Sequence, residues 1–250
     1  MQRANGVGST YSYDADGWLI GSTTGNLASI SLTRDAAGRI ISADRNLPLA
    51  TALPDSSDSF NYDAASQLST ATYDGSGRVT SQGTRTYAWD GASRLTSFTD
   101  TSGNSASLTY DSLGEIASIA NGSTTNSFKF NYALRLPAVS VVQQNGADLR
   151  YYVYLPNGKL LYSIEAADNS RHFYHFDEQG NTAFLTDDAG NITDSYSISP
   201  YGEVLNPAAR QTIRLRSRAN TASSRRLRDC IICAAATMMA RPHASCPGIR

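Results

Sequence analysis

The sequence predicts an all-β protein of antiparallel hairpin repeats forming a curved, spiralling sheet, and three features predict it. Charged residues make up only 17% of the 250, while Gly (19), Tyr (14) and abundant Ser, Thr, Asn and Asp dominate the polar share. Leu, Ile, Val and Tyr occur singly or in short alternating sets with no long helical stripe, the pattern of many short strands punctuated by turns. The third feature is a short unit that recurs along the chain, and fixed-period self-similarity is the mark of a repeat architecture.

The unit is an aromatic or polar residue, then Asp, two variable residues, Gly, a charged or polar residue and an aliphatic. It reads Tyr13-Asp14-Ala15-Asp16-Gly17, then Arg34-Asp35-Ala36-Ala37-Gly38-Arg39-Ile40. It returns at Tyr73-Asp74-Gly75-Ser76-Gly77-Arg78-Val79 and Tyr110-Asp111-Ser112-Leu113-Gly114-Glu115-Ile116. Looser copies at Tyr62-Asp63 and Trp89-Asp90 put Ser66 and Ser93 in the Gly slot. Late copies are Phe176-Asp177-Glu178-Gln179-Gly180 and Asp187-Asp188-Ala189-Gly190-Asn191-Ile192. The aspartates fall about 21 residues apart, or near half of that, with one longer gap between Asp35 and Asp63.

The unit's chemistry predicts a corner. An Asp carboxylate accepts a hydrogen bond from the amide two residues on, and Gly three residues after it supplies a positive φ without a Cβ clash. The flanks then alternate, Leu108 and Tyr110 before the corner, Ile116 and Ile119 after it. Carboxylates that recur at every turn regardless of neighbours are read as punctuation, not as paired acids for metal or acid–base work.

With the copies counted, the chain resembles the YD-repeat, or RHS (rearrangement hotspot), family. The string Tyr174-His175-Phe176-Asp177, Gly180-Asn181, Leu185-Thr186-Asp187, Gly190-Asn191-Ile192 and Pro200-Tyr201-Gly202-Glu203-Val204-Leu205 is similar to the start of the family's RHS-associated core. The resemblance covers about residues 10 to 207 and is weakest around 44–58 and 133–160. It implies a long spiral of antiparallel strands closing into a hollow shell around a C-terminal toxin or other cargo. It also implies secretion machinery as a partner, and bacterial parents that are secreted or displayed on the cell surface. The organisation expected is a YD-repeat β array over 1–170, the start of the RHS-associated core over 171–207, and a basic, disordered tail over 208–250.

That tail departs from the family. The net charge of −1 divides into −9 over residues 1–209 and +8 over 210–250, where nine Arg face the single Asp229. Strand alternation stops there and Arg, Ala and Cys take over. Reading the third base of each codon with the first two of the next turns Met238-Met239-Ala240 into Asp-Gly with no freedom. One consistent choice elsewhere restores the family's Tyr-Leu-Arg…Arg-Phe-Leu-Ser-Arg-Asp-Pro signature across Asp229 to Arg250. A frameshift between about Leu205 and Asp229, leaving a truncated product, is therefore expected. On this reading Cys230, Cys233, His243 and Cys246 are products of the wrong frame, although their types would suit zinc. The Arg run over 210–228 would likewise be no specific nucleic-acid site, despite its charge.

Outside the tail, His172 and His175 flank Phe173-Tyr174 in a strand-like run, so alternation puts them on opposite faces. The nucleophile-elbow, phosphate-loop, zinc-helix and dinucleotide patterns do not occur. The sequence has only Lys129 and Lys159 as lysines. No catalytic, cofactor-binding or metal residue is assigned, no cofactor is expected, and the chain is read as a non-enzyme. There is no run of about 18 apolar residues to span a membrane, and the start MQRANGVGST is unlike a secretory signal. A structural shell fragment is the expected role, with both ends breaking off within the array and leaving edges that associate. The alternative is a carbohydrate- or cell-surface-binding module using Trp18, Trp89 and Tyr151–Tyr152 as stacking platforms for a glycan.

Overall fold

A computed structural model describes residues 1–48, 61–100, 103–134 and 136–196. The frameshift and the expectations for Cys230, Cys233, His243, Cys246 and the Arg run fall outside the described residues. Among the described residues the regular structure is entirely β, as the alternation predicts. In chain order the first four strands are β1 (Ser9–Tyr13), β2 (Leu19–Thr24), β3 (Ala28–Arg34) and β4 (Ile40–Asn46). Then come β5 (Ala71–Tyr73), β6 (Val79–Gln82), β7 (Arg85–Trp89), β8 (Leu95–Asp100), β9 (Ser105–Tyr110) and β10 (Ile116–Asn121). These are followed by β11 (Thr124–Asn131), β12 (Ala138–Gln144) and β13 (Ala147–Tyr154). The last are β14 (Leu160–Glu165), β15 (Arg171–Phe176), β16 (Thr182–Thr186) and β17 (Ile192–Ser195).

Two compact units divide the chain. Unit 1 takes Met1–Leu53, Val153–Leu155 and Lys159–Arg250; unit 2 takes Pro54–Tyr152 and Pro156–Gly158. In unit 2 strands β5 to β13 lie in sequence order, each antiparallel to the next. Sequential hairpins give this order because a short turn can only return the chain beside the strand it has just left. One of the two weakest stretches of the resemblance, 133–160, contributes a regular hairpin. Its turn at Asn145 (φ 50°) and Gly146 (φ 86°) has both central residues left-handed, which matches strand twist.

Period-two alternation gives the unit 2 sheet two unlike faces. Leu95, Phe98, Ala106, Leu108, Ile116, Ile119, Phe128 and Val142 are buried on one. On the other, register sets hydroxyls side by side: Thr72 against Ser81, Ser81 against Thr86, Thr86 against Thr99 and Thr99 against Ser105. Unit 1 holds a four-stranded sheet, β1 to β4 in order, and the run β14 to β17. Its core is the β15–β16 pair, where Phe173, Phe184 and Leu185 are at most 1% exposed.

Candidate functional site

At the corners of Asp35, Asp74, Asp90, Asp177 and Asp187 both carboxylate oxygens are engaged. In Asp74 one oxygen accepts the amides of Ser76 (2.9 Å) and Arg78 (3.0 Å), and the other accepts Arg78 Nε at 2.6 Å. The same arrangement recurs at Asp35 with Arg39 and at Asp90 with Arg94. Asn181 replaces the arginine at Asp177, and Asn191 at Asp187. The amide two residues on is the expected donor. The second amide and the side chain, both from the fourth residue on, are what the sequence reading missed. They explain why Arg or Asn so often follows the glycine. These bonds, led by the fourth residue's amide, hold the carboxyls of Asp35, Asp74 and Asp90 below the usual range. Fully engaged in this way, the acids spread along the turns as structural punctuation.

The glycine slot is left-handed throughout, from φ 74° at Gly77 to 85° at Gly180. Ser66 and Ser93, which replace the glycine, are forced to φ 59° as well. A corner was also missed at Asp100–Asn104, where the Asn104 amide and side chain both donate to Asp100. Leu155–Lys159 closes a corner without an aspartate, its Leu155 amide donating to the Lys159 carbonyl at 2.8 Å. Antiparallel geometry explains the period: successive turns alternate between the two ends of the strands, so copies about 21 residues apart share one end.

The aromatic before each aspartate has its own task. Trp89 Nε1 donates to the Val79 carbonyl at 2.7 Å and Tyr110 Oη to the Leu95 carbonyl at 2.7 Å. In both cases the acceptor directly follows the arginine of the preceding corner on that end. Arg34 fills the slot in unit 1 and does the same, its Nε reaching the Leu19 carbonyl at 2.9 Å. Arg78 adds a bond to the Asp90 carbonyl, Arg94 lies 4.7 Å from the Tyr110 ring centre, and Tyr132 donates to Asp111 at 2.6 Å. That last bond pushes the Tyr132 phenol up to about 12. One end of unit 2 is thus a rail of linked corners, Asp74 to Asp90 to Asp111.

Three of the aromatics expected as stacking platforms, Trp18, Trp89 and Tyr151, have partners within the protein. Trp89 is held in the rail by its indole N–H, and Tyr151 donates to Asp148 at 2.7 Å. Trp18 is 48% exposed but lies against the Gly38 backbone with Arg34 over its ring at 5.5 Å.

Buried polar groups gather in unit 1. The segment Met1–Val7 lies across β15 and β16. Arg3, 6% exposed, donates to Ser9 Oγ at 2.8 Å and to the Tyr174 carbonyl at 3.2 Å, while its Nε has no partner. Asn5 donates to Thr186 Oγ1 at 2.9 Å and to the Asp187 carbonyl at 2.8 Å. The same Thr186 oxygen meets His175 Nε2 at 2.9 Å. His175 is 1% exposed, stacked 4.4 Å from the Phe184 ring, and its Nδ1 is unpartnered. Burial first, and then the Arg3 charge, drives its imidazole down to about 3. His172 points to the other face, as alternation requires. It stands directly across from Ser163, and both His172 Nδ1 and Ser163 Oγ are buried without partners. Glu165 lies 4.0 Å from His172 Nε2. Among the described residues, no three His, Cys, Asp or Glu side chains converge as a metal site.

The four-stranded sheet of unit 1 adds an open trough of about 490 Å³. Thr10, Ser12, Thr23, Ser31, Asp44 and Asn46 line it, and Gly21 lies between them.

No protein-family model matches the chain. It is 26% identical over 201 residues to the tRNA3(Ser)-specific nuclease WapA of Bacillus spizizenii, and equally to the tRNA nuclease WapA of Bacillus subtilis strain 168. Each alignment takes 78% of this chain and 8% of the relative, so the chain spans less than a tenth of their length. In the crystal structure of TcdB2-TccC3 the same fold recurs. The TM-score is 0.58 at 16% identity, over 84% of this chain and 16% of that one. These likenesses support the link to the RHS family. The expectation of a non-enzyme is corrected here: both relatives named above are tRNA nucleases. The reason for the error is physical. The relatives' activity belongs to proteins many times longer than this chain, so a lack of short catalytic motifs within it does not bear on them.

Proposed function

We propose that this chain is a stretch of repeat wall in a larger RHS-type protein that encloses and delivers a toxin, with tRNA cleavage as the associated activity. The rail of linked corners supports the wall role. It ties each hairpin to the next at one end, so the array extends without depending on a central core. The relatives' names support the nuclease association. Secretion or surface display of the parent belongs to the same reading.

The test uses the parent protein that contains this segment. Its C-terminal region should resist protease while the wall is intact and become sensitive in a double Arg78→Ala, Arg94→Ala variant, which cuts the rail. Purified parent, opened by denaturant and refolded, should cleave bulk tRNA. Equal digestion of the C-terminal region in the intact and rail-cut proteins would sink the enclosure reading. Intact tRNA after incubation would sink the nuclease association.

A second reading rests on the trough. Its hydroxyls, one carboxylate and one amide offer the alternating donors and acceptors that a neutral sugar needs. Saturable glycan binding, lost in Asp44→Ala and Asn46→Ala, would favour a binding module; no glycan bound at millimolar concentration would remove it.

A further inference from the structure

The Met1–Val7 segment is fastened to β15 and β16 by few bonds, and they converge on one imidazole. Arg3 grips the Tyr174 carbonyl, next in sequence to His175. Asn5 grips the Thr186 oxygen that also meets His175. Val7 closes against Gly190, where an added Cβ would lie 3.2 Å from a Val7 methyl. We propose that His175 is an acid-sensitive catch whose protonation releases the Met1–Val7 segment from β15 and β16.

The geometry leaves the charged form nowhere to go. A neutral imidazole needs one acceptor and one donor role, and Thr186 satisfies Nε2 in either sense. An imidazolium carries a second N–H, and Nδ1 is buried with nothing to accept it. Arg3 already places a buried cation beside the ring, with no carboxylate among its partners.

The charged and titratable groups on the surrounding elements offer little relief. On β15, Arg171 is paired with Asp188, and His172 lies on the opposite face. On the corner after β15, Asp177 is held by Asn181 and Glu178 by Arg45. The Asp187 carboxylate after β16 is engaged by Ala189 and Asn191. Glu165 on β14 faces His172. On β1, Tyr11 acts on Arg3 and has Lys159 over its ring.

Releasing the segment removes Arg3 and opens the ring to water, so the released state takes the proton. Closure is therefore complete above the ordinary histidine range and weakens as pH falls below about 6.5. The amides of Arg3, Gly6 and Ser9 donate to Val7, Arg3 and Met1 carbonyls and report on closure.

Hydrogen exchange of this chain, corrected for intrinsic rates, should show protection at these amides falling about 20-fold from pH 7 to pH 5. Amides of β8 to β10 should not change. His175→Phe keeps an aromatic ring against Phe184 and should flatten the dependence; an unchanged slope in that variant overturns the catch. Should the variant fail to fold, the His175 carbon-13 resonance is followed in the unmodified chain. A titration near pH 6.5 while Arg3, Gly6 and Ser9 stay protected would overturn the proposal equally.

Discussion

Unit 2 and unit 1 use the same corners and put their buried polar atoms in opposite states. Among the described residues, every buried side-chain nitrogen or oxygen without a partner lies in unit 1: on Arg3, Ser163, His172, His175 and Glu178. Unit 2 sorts its residues by the pleat, apolar on one face and small hydroxyls on the other, and ties its polar groups into the rail. Its local preferences agree with its packing, which is what makes a repeat fold reliably. Unit 1 accepts an imidazole and a guanidinium in its core. Such departures from local consistency tend to collect where a protein does something besides fold.

The largest test of that contrast is Phe184→Ala. It removes a 1%-exposed ring and the stack on His175, and should cost about 3–5 kcal/mol in denaturant melts of the chain. A loss below about 1 kcal/mol would mean the β15–β16 core is not the centre of unit 1.

Glycine corners sharpen the comparison next. At Gly38, φ is 77° and an added Cβ would sit 2.8 Å from the Trp18 ring, whereas at Gly114 φ is 84° with nothing within 4 Å. Gly38→Val should therefore cost about 2–4 kcal/mol against about 1–2 for Gly114→Val, because the second carries backbone strain alone. Equal melting shifts would show that Trp18 moves aside freely.

Acid should separate the units as well. His175 has its pKa lowered to about 3, so its contribution is whole above about pH 6.5 and is lost as pH falls towards 3. By pH 4.5 unit 1 should have lost about 2.5 kcal/mol by hydrogen exchange. The corner carboxylates of Asp74 and Asp90 are held low, so their contribution stays above the ordinary carboxylate range and fades only as they protonate below it. Unit 2 losing protection first on acidification would reverse the assignment.

Tyr110→Phe deletes the hydroxyl that reaches the Leu95 carbonyl and should cost about 1 kcal/mol. The smallest effect runs the other way: Ser93→Gly relieves a left-handed serine and should gain about 0.5–1 kcal/mol. A loss there would mean the serine makes a compensating contact in solution.

The sequence by itself determined the strands, the corners and which side chains alternate. Those follow from properties carried within five residues: an acid that accepts its own chain's amides, a glycine that turns left, a period of two. Hence the opposite faces of His172 and His175 were legible, as were the left-handed slots at Ser66 and Ser93. The corner at Leu155–Lys159 was not, because its backbone closes without the aspartate that marks the others. Only tertiary structure decided that Arg3 and Asn5 lie against Tyr174 and Thr186, some 170 to 180 residues away. It also decided that the Trp89 indole meets the Val79 carbonyl. A polar side chain's task depends on which carbonyl or ring the fold brings beside it, and no local pattern encodes that partner.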